Sequence, residues 1–595
     1  MTLTVSSTQT LDFTTSPRDV PPRTAARLTI SARSGGLWVV FWLVIVAILV
    51  LPILLFLLAA ISPRLFGQGA DWLTLQGFRD AFTSSFLRGT LNSLWLGVVA
   101  GLAATTLGGL VAWLLTRAAI AGQRVWTGLM FALLLAPSYL IALGWERLFE
   151  PGGVFDLLGV PTSVVRQLLY GPVGVAMVLA VKGVPFAYLA VSAALRGLGE
   201  EFEAAARVHG GGRLSATRMI IALIAPACWS AFAIVFAESI SDFGVAATLA
   251  NDAHFPVATF TLYQAIDNFP VKFATAAAVG WVLVALAGLA LLIQTRALRG
   301  RSYRVLGGRS RPARRHRLSP VTHAAALAFL LAVVVIGLGV PGFGAVSASM
   351  IDGLGSLRGN HHLTLANFAR VLHSPALLEP LRFSAEAAVV TATMTVILGL
   401  VAARLLSARQ TRLTSRMLDL LLLTAVALPG IVFAAGYIFT YNLPLTNALG
   451  IHLYGTTTLL LLGYLATALP STSRVLFGSV GQVQDSLHEA GRVHGFSALT
   501  AWVRTVLPLL ARPLVAAWVL TFAATLLELP VSQLLYPPGK PPVAIGITKA
   551  LQNYDYGGGT AMEVLAIGLA LAVVALAWGL FRVLAPGGWR RIGAQ

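Results

Sequence analysis

Four ionisable side chains stand inside long apolar runs of this 595-residue chain: Lys182, Glu238, Asp242 and Glu528. A charge near a bilayer centre costs ~2.5–3.5 kcal/mol on insertion scales, so such groups must face a protein interior or water and be paired or wetted. Glu238 and Asp242 are four residues apart, which puts them on one helix face. Glu528 falls where Asp242 repeats, 286 positions later. Carboxylate oxygens suit a hard cation. Asp242 and Glu528, contributed by equivalent helices, could therefore face each other across a pathway and pass a cation without trapping it. The plainer expectation is structural: a pair such as Lys182 with Glu238, or groups at the outer edge of the membrane.

A second chemistry is written twice. Residues 203–212 read EAAARVHGGG and residues 488–497 read HEAGRVHGFS, so Arg-Val-His-Gly recurs 285 positions apart. Both copies are small and polar, in a chain that otherwise avoids water. In the second, Asp485 to Arg492 favours a short helix, Gly495 can end it in a left-handed conformation, and Ala498 can restart one. Ala490 and Gly491 keep that helix surface small, which suits close approach of a partner. One copy alone reads as an ordinary turn; two matched copies read as a docking surface.

No catalytic residue, metal site or cofactor is assigned to the chain itself. Gly539-Lys540 is followed by Pro541-Pro542, which cannot start a phosphate-cradling helix, and Gly337-Leu-Gly-Val-Pro-Gly342 ends an apolar run instead of joining a strand to a helix. HExxH, GxSxG and His/Cys metal spacings do not occur. The lone cysteine, Cys228, excludes a disulfide framework.

The elements that must position these residues follow from composition. The chain is 57% hydrophobic and 11% charged, with a mean hydropathy of +0.80. Soluble domains carry about 25% charged residues, so the class is all-α and polytopic in a membrane. About twelve spans are expected, near 38–60, 92–116, 125–145, 172–195, 219–248 and 274–295, then 321–341, 384–406, 417–440, 456–472, 505–527 and 563–583. The net charge of +19 sits in short connections and in residues 296–317, which hold nine arginines and no acid. That is the pattern of cytoplasmic loops, not of nucleic-acid binding.

The second set of spans repeats the first. LGGLVAWLLT at 107–116 matches LGLVAARLLS at 398–407, and Pro137 and Gly144 match Pro429 and Gly436. Tyr170-Gly171 and Pro185 match Tyr454-Gly455 and Pro470, and Asn268-Phe269 matches Asn553-Tyr554. Offsets of 284 to 292 over most of the chain indicate a duplicated unit. The division expected is a disordered cytoplasmic tail (1–37), a first membrane unit (38–295), a basic linker (296–320), a second unit (321–585) and a C-terminal tail (586–595). Six spans per unit make the repeats parallel, so both doubled segments and both termini fall on the arginine-rich, cytoplasmic side.

The doubled segments resemble the EAA loop of ABC importer permeases: Glu-Ala-Ala, three residues, Gly, then an apolar stretch with Leu-Pro. The second copy supplies Glu489, Ala490, Gly491 and Gly495, then Leu507-Pro508. The first supplies Glu203, Ala204, Ala205 and Gly210, with its glutamate one position early and Ile221-Ala222 in place of Leu-Pro. The resemblance implies coupling helices held in grooves of two cytoplasmic ATP-binding subunits, which would carry ATP and Mg2+. It also implies a periplasmic substrate-binding protein and a place in a bacterial inner membrane. The fused two-half architecture is similar to ferric iron permeases, with thiamine, phosphonate and polyamine importers as alternatives. An ion-coupled secondary transporter would have no use for two docking loops, and a membrane enzyme should show a catalytic constellation.

Overall fold

The computed structural model describes residues 32–67, 71–202, 208, 212–298, 315–352, 362–407 and 412–584. The chain forms two compact units, residues 1–47 and 48–595. The described part of the first is helix α1 (Ala32–Ile45), whose sequence is apolar from Leu37 onward, and the two residues after it. All that follows concerns the second.

The described residues are helical, with two isolated β-bridges and no extended strand. Among all the described residues, Val39–Ala59 included, ten helices are long and apolar enough to cross a membrane, or up to twelve if two bent pairs count as spans. Each half opens with a helix that pairs across to the other half: α2 (Leu51–Ala59) in the first. Three helices then form the half's bundle, α3 (Ser84–Arg117) first among them. A bent pair follows, α4 (Gln123–Leu135) and α5 (Ser138–Phe149), and then α6 (Pro172–Gly197), α7 (Arg213–Ser241), α8 (Ala258–Asp267) and α9 (Phe273–Leu298).

The second half restates this order. It runs α10 (Pro320–Val334), α11 (Val340–Met350), α12 (Pro375–Ser407), then the bent pair α13 (Arg412–Ala427) and α14 (Gly430–Tyr441). After these come α15 (Thr457–Val480), the short α16 (Asp485–Val493), α17 (Leu507–Leu526), α18 (Pro530–Leu535), α19 (Val543–Gln552) and α20 (Tyr556–Leu584). Helices α3, α6 and α7 pack together in one half, and α12, α15 and α17 in the other.

Two expected spans are not continuous. Residues 125–145 and 417–440 are helix pairs bent by 95° and 105°. The breaks fall at Pro137 and Pro429, both extended at ψ 140° and 138°. Proline lacks an N–H and biases the residue before it away from helix, so an apolar run that reads as one span turns there. The span expected at 219–248 likewise stops at Ser241.

The bent helices cross between the halves. Helix α5 packs on α11, the opening of the second half, and α14 packs on α2, the opening of the first. Backbone contact is close enough to require glycine. A Cβ on Gly436 would lie 2.7 Å from the Pro52 carbonyl oxygen, and one on Gly144 would overlap the Pro341 backbone. The repeated glycines are thus the two crossing points. Gly436→Val and Gly144→Val should each destabilise the purified protein by about 1–3 kcal/mol through overpacking. Unchanged thermal melts in detergent would show that the crossings are looser than this.

Candidate functional site

The breaks meet the buried acids at one place. A cavity of about 350 Å³ is lined by Pro137, Ser138, Glu238, Asp242, Pro429, Gly430, Glu528 and Pro530, among others. A second, of about 480 Å³, runs on from it and shares Glu238, Gly430 and Glu528. Both halves supply lining, so three of the four ionisable groups singled out in the sequence converge between them.

Their bonding separates them. Asp242 sits at the end of α7, where its Oδ1 accepts from the Val245 backbone N–H at 2.7 Å and its side chain bonds Ser138. Glu528 sits at the corresponding break after α17. Its Oε1 accepts from Val531 N–H at 2.8 Å, and its Oε2 from Ser532 N–H at 3.0 Å and the Ser532 hydroxyl at 3.1 Å. The Tyr464 hydroxyl backs Ser532 at 2.7 Å. Both acids therefore cap the helix turn that restarts the chain, satisfying backbone N–H groups that the break leaves without helical partners. Glu238, exposed in the cavity, has no hydrogen bond or ion pair among the described residues.

Lys182 corrects an expectation. Its ammonium does not pair with Glu238. It donates to the carbonyls of Leu134 and Ala136, at 2.7 and 2.6 Å, the groups that the break at Pro137 leaves without helical partners. The repeat-equivalent position is Thr467, whose hydroxyl bonds only its own helix, at Gly463 and Tyr464. The lysine is thus bonded to the first break and makes no salt bridge to the cavity acids, although its charge still acts on Glu238 and Asp242. Among the described residues no three His, Cys, Asp or Glu side chains form a group that could hold a metal ion.

The capping roles had a sequence signal. Pro530 two residues after Glu528 is the pattern of an acid before a helix start with proline in its first turn. A second polar cluster had none. Arg147 of α5 lies 2.8 Å from Glu150 and 3.9 Å from Glu146, with its guanidinium 4.9 Å from the Tyr556 ring of α20. The equivalent positions of α14 are Ile438, Phe439 and Asn442, and Phe439 packs edge-on against Phe56, Phe66 and Phe273. One crossing is charged and the other aromatic.

The second doubled segment is helix α16 with the turn after it, as its sequence implies. Gly495 has φ +82°, its N–H bonds Arg492 O at 3.0 Å, and Ser497 caps the next helix through Thr500 N–H at 3.2 Å. Glu489 and Ala490 are exposed, and Val493 is 85% exposed. Gly491 differs from expectation: it is buried, and a Cβ there would lie 2.9 Å from Ala501 Cβ. Its smallness seats α16 on its own following helix, not on a partner. Glu203, Ala204, Ala205 and Gly210 of the first copy lie outside the described residues.

A residue other than glycine at 495 meets nothing within 4 Å, so only its backbone is strained. Gly495→Val should cost about 1–2 kcal/mol in the loop. The readout is protease sensitivity of the segment 485–500 in the purified protein. Cleavage at the wild-type rate would show that the turn does not hold the helix.

Residues 395–587 match the family described as binding-protein-dependent transport system inner membrane component. The ferric transport system permease protein FbpB of Actinobacillus pleuropneumoniae is 23% identical over 91% of this chain and 78% of its own length. The putative ferric transport system permease protein FbpB 1 of Haemophilus influenzae is 24% identical over 82% and 76%. The sulfate transport system permease protein CysT of Salmonella typhimurium is 27% identical, but 90% of it aligns to 44% of this chain, as a duplicated chain requires.

Proposed function

We propose, for a chain that matches the inner-membrane-component family over residues 395–587 and two ferric permeases at 23% and 24% identity, that it is the membrane subunit of an ATP-driven ABC importer for a cationic substrate, ferric iron foremost. The observation that carries the choice of charge is the cavity between the halves. Three carboxylates line it, while the one lysine nearby is bound to carbonyls. An oxyanion such as sulfate or a phosphonate would meet like charge there, which raises the barrier to passage. Ferric iron is favoured within the cationic class by the names of the two ferric relatives; thiamine and polyamines are the other cations to be tested.

The driving step belongs to other chains. In this reading α16, and the first copy of its motif, each sit in a groove of a cytoplasmic ATP-binding subunit that holds ATP and Mg2+. Closure of the two subunits rocks the halves about the cavity. A periplasmic binding protein delivers the substrate, and both termini lie in the cytoplasm of a bacterial inner-membrane protein. The test is co-expression with candidate ATPase subunits, purification through a tag on this chain, and uptake by proteoliposomes. ATP-dependent ferric uptake that fails with Glu489→Lys in α16 supports the reading. A chain that carries no ATPase through purification and transports on an ion gradient contradicts it.

A further inference from the structure

Among the described residues the largest fully buried side chain is Arg117, at the last position of α3. Its Nη2 donates to Leu195 O at 3.1 Å and to Leu198 O at 2.8 Å. These are carbonyls at the end of α6, the helix that leads into the first doubled segment. A guanidinium there satisfies acceptors that the helix end leaves open and complements its dipole.

The backbone of the same residue holds a different part of the chain. Arg117 O accepts from His316 N–H at 2.8 Å, and Ala119 N–H donates to His316 O at 3.0 Å. His316 lies where the basic linker runs into α10, the start of the second half. Apolar packing follows the same route: Leu195 and Leu198, Ala118 and Ile120, and the partly buried Phe202 and Leu318 belong to one cluster, which continues into Ala326 and Leu330 of α10. Three separate segments therefore meet at one side chain and its own peptide. The corresponding residues of the second half, Ala408 and Arg409, lie outside the described residues.

We propose that Arg117 is a positioning residue that ties the helix end before the first coupling segment to the start of the second half. A buried arginine held by two carbonyls and by packing moves as a body with what it bonds. Displacement of the α6 end by an ATPase subunit is then delivered to α10 as well as to the first half's own bundle. The inference rests on the coupling reading above.

The experiment uses the full chain with its ATPase subunits in proteoliposomes and measures ATP hydrolysed, substrate taken up and their ratio. Arg117→Met keeps the stem and removes the donors. It should leave the ATPase bound and hydrolysing, while uptake per ATP falls by about two- to thirty-fold, the span of typical coupling changes. Arg117→Lys, which can reach one carbonyl, should recover part of the ratio. His316→Pro removes the N–H that Arg117 O accepts without touching the guanidinium, and should lower the ratio in the same sense. It decides the matter if Arg117→Met fails to accumulate. Wild-type uptake per ATP in the folded His316→Pro or Arg117→Met complex overturns the proposal. Failure of the unaltered chain to bind any ATPase would instead defeat the coupling reading, a distinct outcome.

Discussion

Replacing Glu238 by glutamine is expected to lower uptake of a cationic substrate by about tenfold, and neutralising Glu238, Asp242 and Glu528 together should abolish it. Two unit charges 4 Å apart interact by about 4 kcal/mol at an effective dielectric of 20, and a tenfold loss is ~1.4 kcal/mol of that. Glu238 is the cleanest of the three, because no hydrogen bond holds its carboxylate among the described residues. Asp242→Asn should keep the cap on Val245, since asparagine caps as well as aspartate, and so reports charge alone. Glu528→Gln keeps one carbonyl oxygen for the two N–H groups that Glu528 now accepts from, and should lose both stability and uptake. Uptake per folded molecule is the measurement, with ATPase association as the control. Wild-type uptake by Glu238→Gln would return these acids to a structural role.

The largest effect on stability is expected at the charged crossing. Arg147 is 5% exposed and Glu146 1% exposed, and Arg147 Nε and Glu146 Oε1 have no hydrogen-bond partner among the described residues. Removing one partner of a buried ion pair leaves an uncompensated charge and costs about 3–5 kcal/mol. Arg147→Met should therefore lower the melting temperature sharply and reduce the amount in the membrane. Adding Glu146→Gln and Glu150→Gln should restore most of the loss, because a buried pair replaced in full is often neutral. The converse applies at Phe439, where only packing is at stake. If Arg147→Met melts as wild type, the cluster is hydrated and the crossing is not a sealed interface.

What the sequence made legible was local or repeated. The turn at Gly495 was legible because a left-handed residue after a short helix almost demands glycine. The pairing of Gly144 with Gly436 marked a repeated element, though not its purpose, since a close approach between α5 and Pro341 exists only once the halves are assembled. The breaks at Pro137 and Pro429 were hidden by apolar residues on both sides, which satisfy any hydropathy window. For the same reason Lys182 read as a partner for Glu238: the carbonyls it binds are freed by a break that composition does not show. Asp242 and Glu528 were found by their charge and repeat spacing, yet their caps follow from the chain restarting as helix two residues on, with the bonded N–H three residues on. The cluster at Arg147 left no trace in the repeat, because its counterparts Ile438 and Phe439 are apolar.

The central claim is that this chain passes a cation between its halves under the drive of a separate ATPase. The most direct measurement is uptake into proteoliposomes holding the chain, its ATPase subunits and binding protein, with ferric iron, thiamine, a polyamine and sulfate offered in turn. The account predicts ATP-dependent uptake of a cation, ferric iron foremost, reduced by Glu238→Gln while the complex stays intact. ATP-dependent uptake of sulfate, unaffected by Glu238→Gln, would contradict it.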